Sequence, residues 1–492
     1  MDIPASVRAA KPEYARGPTD GEGRPEGKPL PGRIVASVSS ESAKIWRVGT
    51  LTYGVAGLVV LFAWLVGGDF ALSIRDRGVG SVFQLVLQRY GASDTFTSVL
   101  IGSVPAAIAL FVSPIVSFKS DRHRGNWGRR IPFLLFSIPL GSVALAGIAF
   151  SPFIGKLAHR FPAIHSLAPE TLVLFSLAFF WVVYDFAGIV GGSVFGGLLN
   201  DVVPQHFLGR MFGAFRVVSL AAGIIFNHWV YGGAEVEYFW ILIAIAVLTA
   251  VGCTAMCFGV REGEYPPPPP IHASPGVATF VVAAKGYFRE CLGHSYYWWL
   301  FIFVILCGLV AVPVNSFAIY YSLQLHMPPQ EYGDCIATTF AISLILAYPL
   351  GALVDLVHPL RAGLVALGLY AIATLWGGFF SRDSHTFAIA LIAHGVTSGI
   401  VVTTTASLTL RMFPRGNFAQ FSSAGGILGG LVGIIFGPAL GMILDSSHHA
   451  YRYTFFMGSI LSILAILCGL VVHAQFMARG GPQNYLAPEY KP

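Results

Sequence analysis

The chain has 492 residues, of which 55% are hydrophobic and 11% are charged, against roughly a quarter charged in an average soluble domain. This much apolar side chain excludes a soluble enzyme, a disordered chain and a disulfide-stapled scaffold, and it predicts a protein surrounded largely by lipid. The net charge is +6, but the basic residues are spread between hydrophobic runs, so we expect no nucleic-acid binding.

Residues 1–47 form a polar N-terminal tail. The tail has no short, cleavable apolar segment, so we expect no secretory signal peptide. Its composition predicts a disordered cytoplasmic segment.

Twelve apolar runs follow the tail, and each is long enough for the about 20 residues that a membrane-spanning helix needs. With the N-terminus in the cytoplasm, 22 Lys and Arg residues fall in the segments on the side of the termini and 7 fall on the other side. The positive-inside rule therefore predicts that both termini are cytoplasmic. The predicted spans are 48–68, 96–118, 131–153, 171–199, 211–232, 237–260, 297–322, 332–354, 362–380, 385–410, 421–444 and 453–477.

A polar linker, residues 261–296, separates the sixth span from the seventh. It opens with REGEYPPPPP, and five consecutive prolines favour an extended spacer. The pattern over Gly276–Leu292 predicts an amphipathic helix on the inner leaflet. The sequence thus predicts an all-α membrane protein of twelve helices, with two six-helix halves at 48–260 and 297–477 and a cytoplasmic tail at 478–492.

The loop after the second span contains a distinctive charge pattern within Ser113–Leu135. A carboxylate at the end of one helix can pair with guanidinium groups at the start of the next. Such a pair can hold one state of a protein that alternates between two. The alternative is a positive-inside anchor with no switching role. The residues are Asp121-Arg122 and Gly128-Arg129-Arg130.

This pattern resembles the signature loop of the major facilitator superfamily. The extended form, Ser-Asp-Arg…Gly-Arg-Arg-x-Pro-Phe at Ser120–Phe133, is similar to that of sucrose–proton symporters and of the wider glycoside–pentoside–hexuronide:cation symporters. A degenerate second copy, with Asp355 and Arg361, follows the eighth span. The resemblance implies the major facilitator fold, with two halves related by an axis along the membrane normal, and transport of a sugar or glycoside.

Asp185 lies in the middle of the fourth span, within LFSLAFFWVVYDFAGIVGG. An ionisable group in hydrocarbon costs several kcal/mol, so it should face a cavity or a partner, and its default interpretation is functional. Asp185 is the only carboxylate that we place near the middle of a hydrophobic run, and we predict that it carries the coupling proton. The alternative is a helix-packing hydrogen bond.

The resemblance supports this role for Asp185. The sucrose–proton symporters have an Asp in the fourth span and a second Asp sixteen residues later, which corresponds here to Asp201. They also have an Arg eleven residues after the first Asp, where this chain has Gly196. Sodium-coupled relatives use Asp residues within the second span, and Phe96–Phe118 has none, so proton coupling is favoured over sodium coupling.

We predict an inner gate from charged groups at the cytoplasmic helix ends. Asp201 and Arg210 bracket a second short turn, and a solvated loop is the alternative interpretation for them. The complete predicted gate consists of Asp121, Arg122, Gly128, Arg129, Arg130, Asp201, Arg210 and Asp355.

Sugars bind to aromatic faces and to hydrogen-bonding side chains, and the resemblance implies that spans one, four, seven and ten line the cavity. Membrane Trp and Tyr residues also form interfacial belts, Thr hydroxyls bond their own helix, and His and Asn residues link helices. The candidates for the substrate cavity are Tyr53, Trp64, Trp181, Tyr184, Asn315, His394 and Thr397.

No P-loop, His-Glu-x-x-His or Cys-x-x-Cys pattern occurs, so we expect no cofactor, no metal and no enzymatic activity. The six cysteines are interpreted as packing residues. The sequence predicts a monomeric, multi-pass transporter of the cell membrane that carries a sugar-like solute with protons by alternating access. Alternatives are a facilitator or exporter of another small solute on the same fold, and a membrane receptor that transports nothing.

Overall fold

The computed structural model describes residues 45–162, 166–267, 289–414 and 417–488. Most of the polar tail and most of the predicted amphipathic segment of the linker lie outside these ranges. A short antiparallel hairpin, β1 (Trp46–Val48) and β2 (Leu51–Tyr53), opens the described chain. Helices make up almost all of the rest.

Eleven helices of the described chain are long and apolar enough to cross a membrane, and the longest, Gln205–Gly259, contains two spans. A π turn at Phe226–Val230 and a 3-10 turn at Tyr231–Gly233 divide it into α5 and α6. The predicted all-α fold with twelve spans is therefore confirmed. The helices are α1 (Val55–Arg89), α2 (Asp94–Arg122), α3 (Ile131–Ala158), α4 (Pro169–Val202), α5 (Gln205–Ile225), α6 (Ala234–Gly259), α7 (Ser295–Gln324), α8 (Pro329–Val357), α9 (Pro359–Phe380), α10 (Ser384–Met412), α11 (Phe418–Ser446) and α12 (Tyr453–Ala478).

The first span differs from its prediction at both ends. The hairpin occupies its predicted start, and α1 has 35 residues, a length of about 52 Å against a hydrocarbon core of about 30 Å. The predicted spans leave residues 69–95 as an outer loop. Arg75 and Arg77 instead lie inside α1, so their assignment to that loop is wrong. Clustered charges lower the local hydropathy, and the apolar run consequently ends at residue 68 although the helix continues.

The two halves have equivalent internal packing. In the N-terminal half α1 packs on α5 and α6, and α3 packs on α4 and α6; in the C-terminal half α9 packs on α10 and α12, and α7 packs on α12. The halves meet where α2 contacts α11 and where α5 contacts α8. We call the face where α1 begins and α12 ends the terminal side, and the other face the opposite side.

Glycines allow α11 to approach α2 closely near the opposite side. A Cβ at Gly437 would collide with Ser103, and a Cβ at Gly441 would collide with the backbone of Asp94 and Thr95. Small residues at these positions let two helix backbones meet without a gap. The contact holds the two halves together at that end of the bundle.

Hydrogen bonds join the halves at the same end. The backbone N–H groups of Asp94 and Thr95 donate to the Asp445 carboxylate at 2.9 and 3.0 Å. The Asp94 carboxylate, 2% exposed, lies 2.7 Å from Nδ1 of His449 and accepts from the Tyr451 hydroxyl at 3.0 Å. Since α2 belongs to one half and the other three residues belong to the other, this cluster closes the bundle on the opposite side.

A second link on the opposite side joins α5 to α8. Nδ1 of His228 lies 2.7 Å from Asp334, and the amide of Gln330 donates to the His228 carbonyl at 2.8 Å. Nearer the terminal side, side chains of α8 are not covered by other helices, since Tyr348 is 87% exposed and Leu356 is 85% exposed. The halves are thus bound together on the opposite side of the bundle.

Candidate functional site

A cavity of about 520 Å³ lies inside the N-terminal half, between α1, α3, α4 and α6. Asp185 is at its wall and stands halfway along the 34 residues of α4. The cavity is therefore at mid-depth in the helix bundle. Its polar and aromatic lining is Asp69, Ser73, Arg75, Asp76, Ser137, Trp181, Tyr184, Asp185, Phe195 and Cys253.

Two carboxylates in this cavity have unsatisfied oxygens. Oδ2 of Asp69 and Oδ2 of Asp185 are each buried and have no hydrogen-bond partner among the described residues. Burial of an ionised carboxylate without a partner is costly, and the neutral acid is favoured in such a place. Each oxygen is positioned to take a proton or to bind a group of a solute.

A third carboxylate in the cavity, Asp76, forms an ion pair with Arg75 at 2.8 Å. The Arg75 guanidinium also lies over the Tyr184 ring, 6.0 Å from its centroid. The Asp76 side chain is 61% exposed although α1 is a membrane-spanning helix, since it faces the open cavity. The site thus contains a cation beside its acidic groups.

The sequence prediction placed the first span at the cavity but assigned Asp185 as the only mid-membrane carboxylate, so it missed Ser73, Arg75 and Asp76 of α1. A signal was present. Asp69, Ser73, Asp76 and Gly80 recur at spacings of three and four residues, which places them on one face of a helix, and all four line the cavity. A search for polar helical periodicity beyond the apolar run would have found them.

The aromatic residues of α4 are partly committed to packing. Trp181 is 5% exposed, it stacks on Phe83 with ring centroids 3.8 Å apart, and its Nε1 donates to the Leu100 carbonyl at 3.1 Å. Tyr184 lies 5.4 Å from Trp181 between centroids. Trp181 is therefore a fixed part of the wall, and both rings line the cavity.

Two predicted cavity residues of the first span lie elsewhere. Tyr53 belongs to β2 and packs against the hydrophobic core at the terminal side. Trp64 is 40% exposed and packs over Gly259 of α6. Neither residue lines the cavity, because Tyr53 precedes the start of α1 and Trp64 lies on a different face of α1 from Asp69 and Ser73.

The predicted cavity residues of the C-terminal half form a separate cluster. Nε2 of His394 lies 3.0 Å from Oδ1 of Asn315, and its Nδ1 lies 3.1 Å from the Tyr370 hydroxyl. That hydroxyl donates to the Val310 carbonyl at 2.8 Å, where α7 is interrupted between Leu309 and Val312. His394 is 1% exposed, so this chain of hydrogen bonds braces the break in α7.

The Thr397 hydroxyl donates to the Ala393 carbonyl of its own helix at 2.7 Å. This is the backbone bond that threonine commonly makes in a membrane helix. Thr397 is half-buried, and its hydroxyl is already engaged.

Charged residues of the predicted gate meet at the terminal side of the N-terminal half. Arg129 pairs with Asp201 through two nitrogens, and Arg130 pairs with both Asp201, at 3.3 Å, and Asp121. Arg130 also donates to the Ser120 hydroxyl at 2.6 Å. The network ties the ends of α2, α3 and α4 together.

Glu262, just after α6, supports this network and was missed by the sequence prediction. Its carboxylate accepts from the backbone N–H groups of Arg129, Arg130 and Ile131 at 2.9, 2.8 and 2.7 Å. A carboxylate at this position satisfies free N–H groups and complements the dipole of α3. Gly128 precedes them with φ of +93°, a value that favours glycine.

The Tyr265 hydroxyl donates to Glu262 at 3.2 Å, and its ring lies 4.2 Å from the Arg129 guanidinium. Burial and the adjacent Glu262 charge raise the pKa of Tyr265. It therefore remains a hydrogen-bond donor. This contact attaches the start of the linker to the gate network.

Two other predicted gate residues stack on aromatic rings. The Arg122 guanidinium lies 5.5 Å from the centroid of Phe118, and that of Arg210 lies 5.4 Å from the centroid of Phe207. Both are on the terminal side. These two ring contacts lie within α2 and within α5.

The second copy of the gate pattern is weaker. Asp355 pairs with Arg411 at 2.7 Å, with side chains 76% and 37% exposed. His358, between α8 and α9, accepts from the Leu360 N–H at 3.3 Å and has φ of +84°. Burial, and then the charges of Arg411 and Arg361, lower the pKa of His358 to about 4.

We expect this histidine to make the protein less stable in mild acid. The folded-state pKa is below the value near 6.5 of an unfolded histidine, so the unfolded chain binds more protons between these two values. The contribution to stability is complete above pH 6.5 and is lost as the pH falls toward 4, by up to about 3 kcal/mol before solvent screening. Thermal unfolding of purified protein between pH 7.5 and 4.5 measures the loss.

His358→Asn is the matched control for this measurement, because asparagine tolerates positive φ and can still cap the helix. The variant should lose less stability than the wild type over the same pH range. Equal losses in the two proteins would assign the acid sensitivity to other groups.

Asp94, Asp445 and His449 are the described residues whose ligand-type atoms come together as in a metal site, within 4.8 Å of one another. Their oxygens and nitrogen are already engaged. Asp445 accepts from two backbone N–H groups, and Asp94 is bonded to His449 and Tyr451. We interpret the cluster as the link between the two halves.

Comparisons with known proteins agree with this architecture. Residues 311–479 match the family model of the Major Facilitator Superfamily. A Pseudomonas putida protein, NicT, whose name assigns it to metabolite transport, is 26% identical over 188 residues. That match covers 34% of this chain and spans 43% of the length of the relative.

Solved structures of transporters superpose on most of the chain. A D-xylose–proton symporter has a TM-score of 0.57 at 14% identity, covering 84% of this chain and 96% of the symporter. A bacterial metal transporter also has a TM-score of 0.57 at 14% identity, covering 84% of this chain and 99% of that protein. The chain has the major facilitator fold. The low identities leave the activity and the solute open.

Proposed function

We propose that the protein is a secondary transporter that carries a sugar or glycoside together with protons. The observation that carries this proposal is the cavity in the N-terminal half. There Asp69 and Asp185 each have a buried oxygen without a hydrogen-bond partner among the described residues. A carboxylate at mid-membrane depth, next to an open cavity and without a fixed cation on that oxygen, is suited to bind and release a proton.

Alternating access is the proposed mechanism of transport. The links of Asp94 to His449 and of His228 to Asp334 bind the halves on the opposite side. The gate pairs of Arg129 and Arg130 with Asp201 hold helix ends on the terminal side. Breaking the first set while the halves rock would expose the cavity to the other side of the membrane.

We place the protein in the cell membrane as a monomer, with both termini in the cytoplasm. The excess of Lys and Arg in the segments on the terminal side supports this orientation.

The test is uptake into proteoliposomes driven by a pH gradient, across a panel of monosaccharides, disaccharides and glycosides. We expect one solute to accumulate at least tenfold, with accumulation lost when a protonophore collapses the gradient. Equilibration that is unaffected by the protonophore would identify a facilitator. Binding of the solute without any flux would support a receptor.

A further inference from the structure

We propose that Arg77 and Arg216 form a binding site for an oxyanion, so that the transported solute bears a carboxylate or a phosphate group. The inference rests on the proposed function and specifies its substrate class. It starts from two guanidinium groups that lie within the helix bundle but outside the lining of the 520 Å³ cavity.

Both arginines lie within membrane-spanning helices, away from the helix ends. Arg216 is eleven residues into α5, about 16 Å from the start of that helix, and Arg77 is twelve residues before the end of α1, about 18 Å from that end. A hydrocarbon core is about 30 Å thick. An arginine at this depth is expensive unless it faces a partner or a pathway, and its default interpretation is functional.

The two side chains lie at the junction of the halves. Arg77 donates to the Ser219 hydroxyl of α5 at 3.0 Å, and its guanidinium lies 4.8 Å from the ring centroid of Phe340 in α8. Arg216 precedes Ser219 by three residues, which puts them on the same face of α5. The site is therefore bounded by α1, α5 and α8, the last from the C-terminal half.

The local charges are not balanced. The positive charge of Arg216 repels the Arg77 guanidinium, whereas the carboxylate of Asp76 attracts it. Asp76 is already paired with Arg75 at 2.8 Å. In the part of the chain that the structure describes, Arg216 has no ion pair or hydrogen bond. Among the described residues, no carboxylate forms an ion pair with Arg77 or with Arg216.

An oxyanion would resolve this imbalance. Guanidinium groups bind carboxylates and phosphates through paired N–H donors, and these charge-assisted bonds are the strong ones in proteins. A ligand between Arg77 and Arg216 would remove their mutual repulsion. Because Phe340 belongs to the other half, such a ligand would contact both halves, as a transported solute must.

The test measures binding to the purified full-length protein in uncharged detergent at low salt, by calorimetry. The probes are D-glucose, D-glucuronate and D-glucose 6-phosphate, which share a ring and differ in charge. We expect at least one acidic probe to bind ten times more tightly than glucose. Arg77→Gln and Arg216→Gln should each reduce that preference tenfold, whereas Arg382→Gln, an exposed arginine on the opposite side, should retain it.

Three further measurements separate the possible outcomes. Thermal melting of each variant without ligand reports whether the variant folds. Arg216→Lys retains the positive charge without the paired N–H donors, and it should retain part of the preference for the acidic probe over glucose. Addition of phosphatidylglycerol tests whether the oxyanion comes from a lipid headgroup or from a solute. Arginine-dependent stabilisation by that lipid alone would assign the site to a headgroup and overturn the solute assignment.

Equal binding of glucose and the acidic probes, or no binding of either acid, overturns the inference. Proton-driven accumulation of a neutral sugar in that case would leave the proposed function intact. Conversely, arginine-dependent binding of an acid without proton-driven uptake would support the oxyanion site and contradict the proposed coupling.

Discussion

Asp185→Asn should abolish proton-driven accumulation, by at least tenfold, while solute exchange across the same membrane continues. The amide has nearly the shape of the carboxyl group but cannot take up and release a proton. The solute pathway should therefore remain, and its coupling to the pH gradient should be lost. Uptake and counterflow in proteoliposomes measure the two activities separately.

Ser137→Ala is the matched control for Asp185→Asn. Ser137 lines the same cavity and donates to the Leu134 carbonyl of its own helix at 3.2 Å, so its loss changes the wall without removing a proton acceptor. It should retain accumulation. If Asp185→Asn accumulates solute as the wild type does and Asp69→Asn does not, the coupling carboxylate is the one on α1.

Asp201→Asn should destabilise the protein by roughly 3 kcal/mol, since loss of one partner of a buried ion pair leaves the other charge uncompensated. Asp201 is 11% exposed and serves both Arg129 and Arg130, whose side chains are 20% and 10% exposed. The neutral amide can satisfy neither guanidinium charge. Unfolding of the purified protein by a denaturing detergent measures the change.

Asp355→Asn is the internal control, because Asp355 is the second-half counterpart of Asp121 in the same charge pattern on the terminal side. Its pair with Arg411 is exposed, with side chains 76% and 37% accessible, and exposed pairs contribute at most about 1 kcal/mol. Similar losses in the two variants would mean that the Asp201 network is no stronger than a surface pair.

The gate of the first half could be largely predicted from the sequence. Asp121, Arg129, Arg130 and Asp201 stand at the ends of apolar runs, and helix ends on one side of a bundle are brought together by chain reversal. Glu262 could not be predicted in the same way. Its role depends on where the chain leaves α6 relative to the first turn of α3, which is a matter of helix packing.

By itself the sequence determined the number of spans and the place of Asp185 near the middle of one. Polar groups are costly in hydrocarbon, so the local composition shows which segments can span the membrane and which polar residue interrupts one. Only the tertiary structure placed Asp69, Arg75 and Arg77 inside the bundle. A membrane-spanning helix can contain charged residues when its neighbouring helices form a cavity around them. Hydropathy along one segment contains no information about those neighbours.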